Sequence, residues 1–236
     1  MNLSIPRILN FIGYRIVNAG TIFNNLALKM DTIHKYSEEE YARYKREDPT
    51  EECRVNYPLH NNSLVVDVGG LTGDWAIRVF CRHACNIDIY EPHPVLVRKA
   101  RNNFSGNPKV KIYDYGIGGE NGILTLYGDS FNASIFKNDT GGKTQVQIVK
   151  AFDAFRKYEH IDLLKINVEG AEYEIMNDLL DNYDMRKIDN LQIQFHGNVP
   201  GYAAMREEIR SRLIRTHHMT WNYDYIFENW SLNKVM

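Results

Sequence analysis

The chain has 236 residues, 44% hydrophobic and 25% charged, the composition of an ordinary soluble globular protein with length for one domain and an extension. Lysines and arginines number 28 against 30 acidic residues, a net charge of -2, so the basic footprint of a nucleic-acid-binding domain is missing and no nucleic-acid partner is expected. Three cysteines do not suggest a disulfide framework and fit a reducing cytoplasm, and no run of about 18 apolar residues exists to span a bilayer.

In chain order, residues 1–60 read as an N-terminal helical extension and residues 61–236 as the main domain. Ile5–Met30 carries Ile8, Leu9, Ile12, Ile16, Val17 and Ile22 with Arg7, Arg15 and Lys29 interspersed. It has no uninterrupted apolar core followed by a small-residue cleavage site, so it is not a signal peptide. Two readings stand. One is a helical segment that packs on its own domain or on a second subunit, making a homo-oligomer. The other is an amphipathic segment in peripheral contact with the inner face of a membrane. Ser37–Asp48 reads as a charged helix that stops before Pro49.

From Ser63 onward short apolar runs alternate with helical stretches, the signature of a largely parallel α/β sheet. Strands are expected at Leu64–Val68, Asn86–Tyr90, Val110–Tyr113, Ile161–Ile166 and Leu191–Phe195. Helices are expected near Asp74–Arg82, Pro94–Asn103 and Ala171–Leu180. Gly122–Tyr127 and Thr144–Val149 alternate polar with apolar residues, as an antiparallel flap or edge does. The aromatic tail His217–Trp230 reads as a closing hairpin at the sheet edge.

Leu64-Val-Val-Asp-Val-Gly-Gly-Leu-Thr-Gly-Asp-Trp75 is a buried strand running into a glycine-rich turn and a helix start. Gly69, Gly70 and Gly73 do not supply the G-x-G-x-x-G of a dinucleotide site. They supply Asp67-x-Gly69-x-x-x-Gly73, the acidic pattern associated with S-adenosylmethionine, in which no pyrophosphate has to be cradled. About twenty residues on, Ile87-Asp-Ile-Tyr-Glu-Pro92 ends a strand in Glu91, placed to accept both hydroxyls of a ribose. Asp114, at the end of the third strand, is a candidate acceptor for the adenine amino group.

Ile161-Asp-Leu-Leu-Lys-Ile-Asn-Val-Glu-Gly-Ala-Glu172 places Lys165 inside an apolar strand, where it is costly unless paired, and the carboxylates within a few residues are the expected partners. His196 follows the strand Leu191–Phe195, at the edge where open α/β sheets place ligands, and a histidine there suits removal of a hydroxyl proton. Cys81-Arg-His-Ala-Cys85 lacks a second ligand pair, so no metal is expected there. His217-His218 reads as a surface pair.

Together these stretches resemble the FkbM family of S-adenosylmethionine-dependent methyltransferases. The likeness covers roughly Leu64 to Asn198 and is strongest at Asp162–Glu172, which matches the D-L-L-K-I-D-V-E-G-A-E signature in all but one position. It implies a Rossmann-like class I methyltransferase fold, a mostly parallel seven-stranded sheet with helices on both faces. It also implies methyl transfer to a hydroxyl oxygen, often of a sugar or glycan, with S-adenosylmethionine as cofactor. Asn167 stands where the family usually has Asp and Gln194 where it often has Glu, which weakens a metal-assisted variant using Asn167, Glu169 and His196. The site expectation is therefore Asp67, Gly69, Gly70, Gly73, Glu91 and Asp114 for the cofactor. His196 is the base, Glu169 and Lys165 position the acceptor or fix the strand tip, and Asn132, Ser134 and Asn167 line the substrate mouth. Rival readings are a small natural product as acceptor, nitrogen rather than oxygen as target, and a non-catalytic partner that keeps the cofactor site.

Overall fold

β-Branched and aliphatic residues fill the expected central strands, and the backbone follows them closely. The computed structural model describes residues 38–127, 142–197 and 199–233, so Ile5–Met30, Asn132 and Ser134 lie outside the described residues. In chain order the elements are α1 (residues 38–47), β1 (Leu64–Val68), α2 (Asp74–His83), β2 (Asn86–Tyr90), α3 (Pro94–Asn103) and β3 (Val110–Tyr113). Then come β4 (Gly116–Gly118), β5 (Gly122–Tyr127), β6 (Lys143–Lys150), α4 (Ala151–Phe155), β7 (Ile161–Ile166) and α5 (Glu172–Asn182). The chain closes with β8 (Ile188–Ile193), α6 (Tyr202–Leu213), β9 (His217–Tyr223) and β10 (Phe227–Leu232).

Seven strands form one sheet in the order β3-β2-β1-β7-β8-β10-β9. The first five are mutually parallel, and β10 runs antiparallel to both its neighbours. The order reverses between β1 and β7, and open α/β sheets bind ligands at the carboxyl ends of strands flanking such a switch. A second, three-stranded sheet has the order β4-β6-β5, with β5 and β6 antiparallel as expected.

Side-chain alternation divides the core in two. Val66, Val68, Leu164, Ile166, Leu191 and Ile193 pack against α4, α5 and α6 on one face. Val65, Ile87, Ile89 and Leu163 pack with Trp75, Ala76 and Val79 of α2 and with Val55 and Tyr57 on the other. From Glu40 onward the chain is one compact unit. Within it the stretch before β1 is tied in by two hydrogen bonds, Tyr57 Oη donating to Asn229 Oδ1 (2.9 Å, buried) and Trp75 Nε1 to the Arg54 carbonyl (3.0 Å, partly buried).

Three details depart from the sequence expectation. β8 begins three residues early, because Asp184 caps the short 3-10 turn Met185–Lys187 and delivers Ile188 directly opposite Ile161. α6 escaped the apolar pattern because one of its three buried positions is Arg206, whose Nη2 bonds Glu228 at 2.6 Å under the terminal hairpin. His217-His218 is not a surface pair: strand alternation buries His217, which faces the Ile188 carbonyl at 2.8 Å, and leaves only His218 outside.

Candidate active site

Asp67 and Lys165 are direct cross-strand partners in the β1–β7 ladder. Lys165 Nζ donates to Asp67 Oδ1 (2.7 Å) and to the Gly69 carbonyl (2.8 Å), with both side chains almost fully buried under the Trp75 ring. This corrects the expectation of a partner within a few residues. Neighbouring residues along a strand point to opposite faces or past its end, whereas the residue across the ladder lies alongside. Lys165 thus locks the turn after β1 to β7. Asp67 Oδ2 remains buried with no hydrogen-bond partner among the described residues.

Glycine is required in that turn for packing as much as for a ligand. Gly69 has φ +79, and a Cβ there would sit 1.9 Å from the Asn167 carbonyl oxygen. A Cβ on Gly70 would sit 2.2 Å from the Ile89 side chain. These contacts let the turn after β1 close against the tip of β7 on one side and against β2 on the other. The first three amides of the turn are already spent: Gly69 and Gly70 donate to the Tyr90 carbonyl and Leu71 to Glu91 Oε2. No nest of free donors for a pyrophosphate is left there, in line with the spacing argument against a dinucleotide.

Glu91, at the tip of β2, is buried and also accepts from the His93 amide through Oε1 (2.8 Å). Burial pushes its pKa up to about 7, against the lowering by these two amides. A carboxylate has lone pairs for more than two donors, so further acceptor capacity stays in hand. Asp114 follows β3, is largely exposed, and pairs with Arg101 at 3.2 Å.

At the tips of β7 and β8 a second group assembles. Glu172, fully buried at the start of α5, accepts the amides of Val168 (3.2 Å) and Gly170 (2.9 Å). Its Oε1 also lies 2.5 Å from His196 Nδ1, while the His196 carbonyl accepts from Tyr173 Oη. His196 Nε2 points to Glu169 Oε1 at 3.4 Å, and Glu169 sits exposed at φ 58. Burial alone would lower the imidazole pKa, but hydrogen bonds and charge from Glu169 and Glu172 raise it to about 10. His196 is therefore an imidazolium clamped between two carboxylates at neutral pH.

Sequence reading passed over Glu172 as a site residue, although it closes the signature stretch and is the buried member of this group. It also passed over a cleft of about 420 Å³ above β1, β7 and β8. Gly69, Gly70, Leu71, Lys165, Asn167 and Gln194 form its floor. Its walls come from α2 (Asp74, Trp75, Arg78), from Tyr41, Tyr44, Glu51 and Arg54, and from Ile226 and Phe227. One trio of metal-type ligands occurs among the described residues, His160, Asp162 and Asp189 at the amino ends of β7 and β8. Its Asp162 is already bonded to Ser63 Oγ and the Leu64 amide.

A parallel five-stranded core extended by an antiparallel hairpin, with a glycine turn and an acidic second-strand tip at the switch point, defines a Rossmann-like class I methyltransferase architecture. The sequence profile of the methyltransferase FkbM domain matches residues 67–225, two thirds of the chain. The chain therefore belongs to the FkbM methyltransferases, enzymes whose cofactor is S-adenosylmethionine. No curated protein matches it. Among solved structures it is similar to M. capricolum TrmK in complex with S-adenosylhomocysteine (12% identity, TM-score 0.43, 75% of this chain and 65% of that one). It is also similar to a Methanococcus jannaschii fibrillarin pre-rRNA processing protein (10%, TM-score 0.45, 75% and 69%). A third is Streptococcus pneumoniae Sp1610, a putative tRNA (m1A22) methyltransferase (10%, TM-score 0.46, 78% and 70%). The match spans less than two thirds of the first of these, and likenesses this distant do not bear on the acceptor.

Among the described residues no helix is long and apolar enough to cross a membrane.

Proposed function

We propose that this protein is an O-methyltransferase that methylates a hydroxyl group of a sugar or glycan, with His196 as the proton acceptor. The observation that carries the reading is the Glu172–His196 pair: a fully buried carboxylate fixes Nδ1 and leaves Nε2 directed at an exposed loop. The residues present fit the cofactor. Asp67 Oδ2 is an orphaned acceptor beneath the turn, and Glu91 keeps acceptor capacity for the ribose hydroxyls. Gly69, Gly70 and Gly73 shape the turn beside it, and Asp114 stands beyond β3 for the adenine amino group.

Bound S-adenosylmethionine supplies a methyl group already activated on a sulfonium. The chain's own residues then have to align the acceptor oxygen and take its proton. In the resting site both carboxylates hold the proton on His196. An acceptor hydroxyl that takes the place of Glu169 beside Nε2 removes one of them, the Nε2 proton leaves with the displaced carboxylate or to solvent, and the neutral imidazole is left as the base. Glu172 stays on Nδ1 and stabilises the imidazolium formed as the proton arrives. Lys165 is a positioning residue, since its ammonium is spent on Asp67 and Gly69. Asn167 and Gln194, just past β7 and β8, present neutral amides at the His196 end of the cofactor cleft, and groups that both donate and accept suit a polyhydroxylated acceptor better than a charged one.

His196→Ala is expected to lower turnover, followed as S-adenosylhomocysteine release with glycan acceptors, by about 10²–10⁴-fold while calorimetric binding of S-adenosylhomocysteine is kept. Unchanged turnover would remove His196 from the base role. Binding of S-adenosylmethionine without methylation of any glycan or other hydroxyl acceptor would overturn the reading as an O-methyltransferase.

A further inference from the structure

The cleft wall contains a second recognition device, most of it outside the matched family region of residues 67–225. Two guanidinium groups, Arg54 and Arg78, and two carboxylates, Glu51 and Asp74, line it. Lys165 adds no net charge, because Asp67 neutralises it. The two guanidinium groups are joined to Glu51 in ion pairs, and a zwitterion can enter such a network with each end on the opposite charge and no net charge added to the wall. A phosphate would call for a surplus of cations.

Arg54 is built in place for such a role. Its Nε donates to Gln192 Oε1 (3.3 Å), its Nη1 to Glu51 Oε2 (2.8 Å), and its guanidinium lies on the Phe227 ring at 3.7 Å. Nη2 has no hydrogen-bond partner among the described residues. Glu51 is the hub between these cations, drawing Lys45 (2.5 Å) and Arg78 (3.6 Å) as well as Arg54. Arg78 is tethered in turn to the Thr50 carbonyl (2.5 Å). Beside them the Tyr44 hydroxyl is buried with no hydrogen-bond partner, an orphaned donor at the same wall. A buried donor left unpaired is unfavourable, so a ligand oxygen that reached it with a small local shift would recover that cost.

We infer that the stretch from Tyr44 to Arg54 completes the cofactor site by holding the amino-acid end of the cofactor. Arg54 and Arg78, with the Tyr44 hydroxyl, take its carboxylate, and Glu51 and Asp74 take its ammonium. The inference rests on the cleft being the cofactor site. It adds that the family domain is incomplete as a binding unit without the preceding stretch.

The test is isothermal titration calorimetry on the full chain with two ligands. S-adenosylhomocysteine carries the aminocarboxylate end, and methylthioadenosine lacks it. Arg54→Gln is expected to weaken S-adenosylhomocysteine by about tenfold or more and to leave methylthioadenosine within about twofold, with Arg54→Lys recovering part of the loss. Tyr44→Phe removes one hydroxyl without disturbing the ion pairs, so it guards against a folding defect in Arg54→Gln. It should show the same selective loss, several-fold in size. Equal losses for both ligands in both variants, or no loss in either, would overturn the inference. If the unaltered chain bound neither ligand, the cofactor reading of the cleft would fail instead, a result distinguishable from the other two.

Discussion

The two halves of the site share a buried carboxylate held by two main-chain amides but differ in what is built on it. On the β1–β2 side, carboxylates are held by the backbone: Glu91 accepts two main-chain amides, and Asp67 is fixed by a lysine that also binds a main-chain carbonyl. On the β7–β8 side only Glu172 is anchored by main-chain amides; beyond it His196 and Glu169 are held side chain to side chain, and Glu169 is an exposed residue with positive φ. A backbone-held site is rigid and indifferent to what occupies it, as a constant cofactor allows. A side-chain triad can exchange one member for a ligand, as an acceptor with an ionisable proton requires.

The sharpest way to break that contrast is to remove the brace beneath the rigid half. Lys165→Met leaves Asp67 as a buried, uncompensated carboxylate, and removing one partner of a buried pair typically costs about 3–5 kcal/mol. For a chain of this size that is a fall in Tm of about 10 °C. Lys165→Met combined with Asp67→Leu should recover much of the loss, because a well-packed apolar pair replaces the ion pair without desolvation. Thermal melts of the two variants check this; equal melting temperatures for Lys165→Met and the unaltered chain would mean that the pair braces nothing.

Glu91 tests the same half through pH. Its folded pKa of about 7 lies above the ordinary 4.5, so between those values the folded state binds more protons than the unfolded chain. Stability therefore falls as pH rises through that window, by about 3 kcal/mol in all, and the penalty is complete above pH 7. Glu91→Gln should abolish this slope in denaturant titrations run at pH 5 and pH 8. A ligand whose hydroxyls donate to the carboxylate favours its ionised form. Binding of S-adenosylhomocysteine near pH 7 is then expected to release protons, seen as a calorimetric enthalpy that varies with the buffer's ionisation heat.

Much of this was legible in the sequence, and what was not has a physical reason. β1, β2, β3 and β7 could be read to the residue because each is an apolar run stopped by Gly, Pro or a polar tip. The glycine turn and Glu91 could be read from spacing along one βα unit. The Asp67–Lys165 pair is a relation between residues 98 positions apart, visible only once β1 and β7 are known to be neighbours. A signal existed nonetheless, since the inner stretch of each strand carries one charge two residues before Gly69 or Asn167, and the signs are opposite. Tyr44 and Arg54 gave no such signal. Their segment reads as a polar helix and turn, and only the fold brings it over the cleft.

The smallest expected effect is the one that most directly probes the exchangeable half. Glu169 is exposed and acts on His196 from one side only, so Glu169→Gln should leave the fold and the Glu172 contact in place. Losing one nearby carboxylate lowers the imidazole pKa, and a histidine whose folded pKa falls loses its proton at lower pH. In the unaltered chain kcat/KM is expected to climb with pH toward about 10, tracking the neutral imidazole. In Glu169→Gln the whole rise should move toward neutrality, and activity at pH 7 should increase by up to about tenfold if the imidazole pKa falls by about 1. If Glu169 instead grips the acceptor, the variant would lose activity through KM with the pH profile unmoved. The acceptor would then bind beside the carboxylate rather than in its place, and the His196 proton would have to leave by another route.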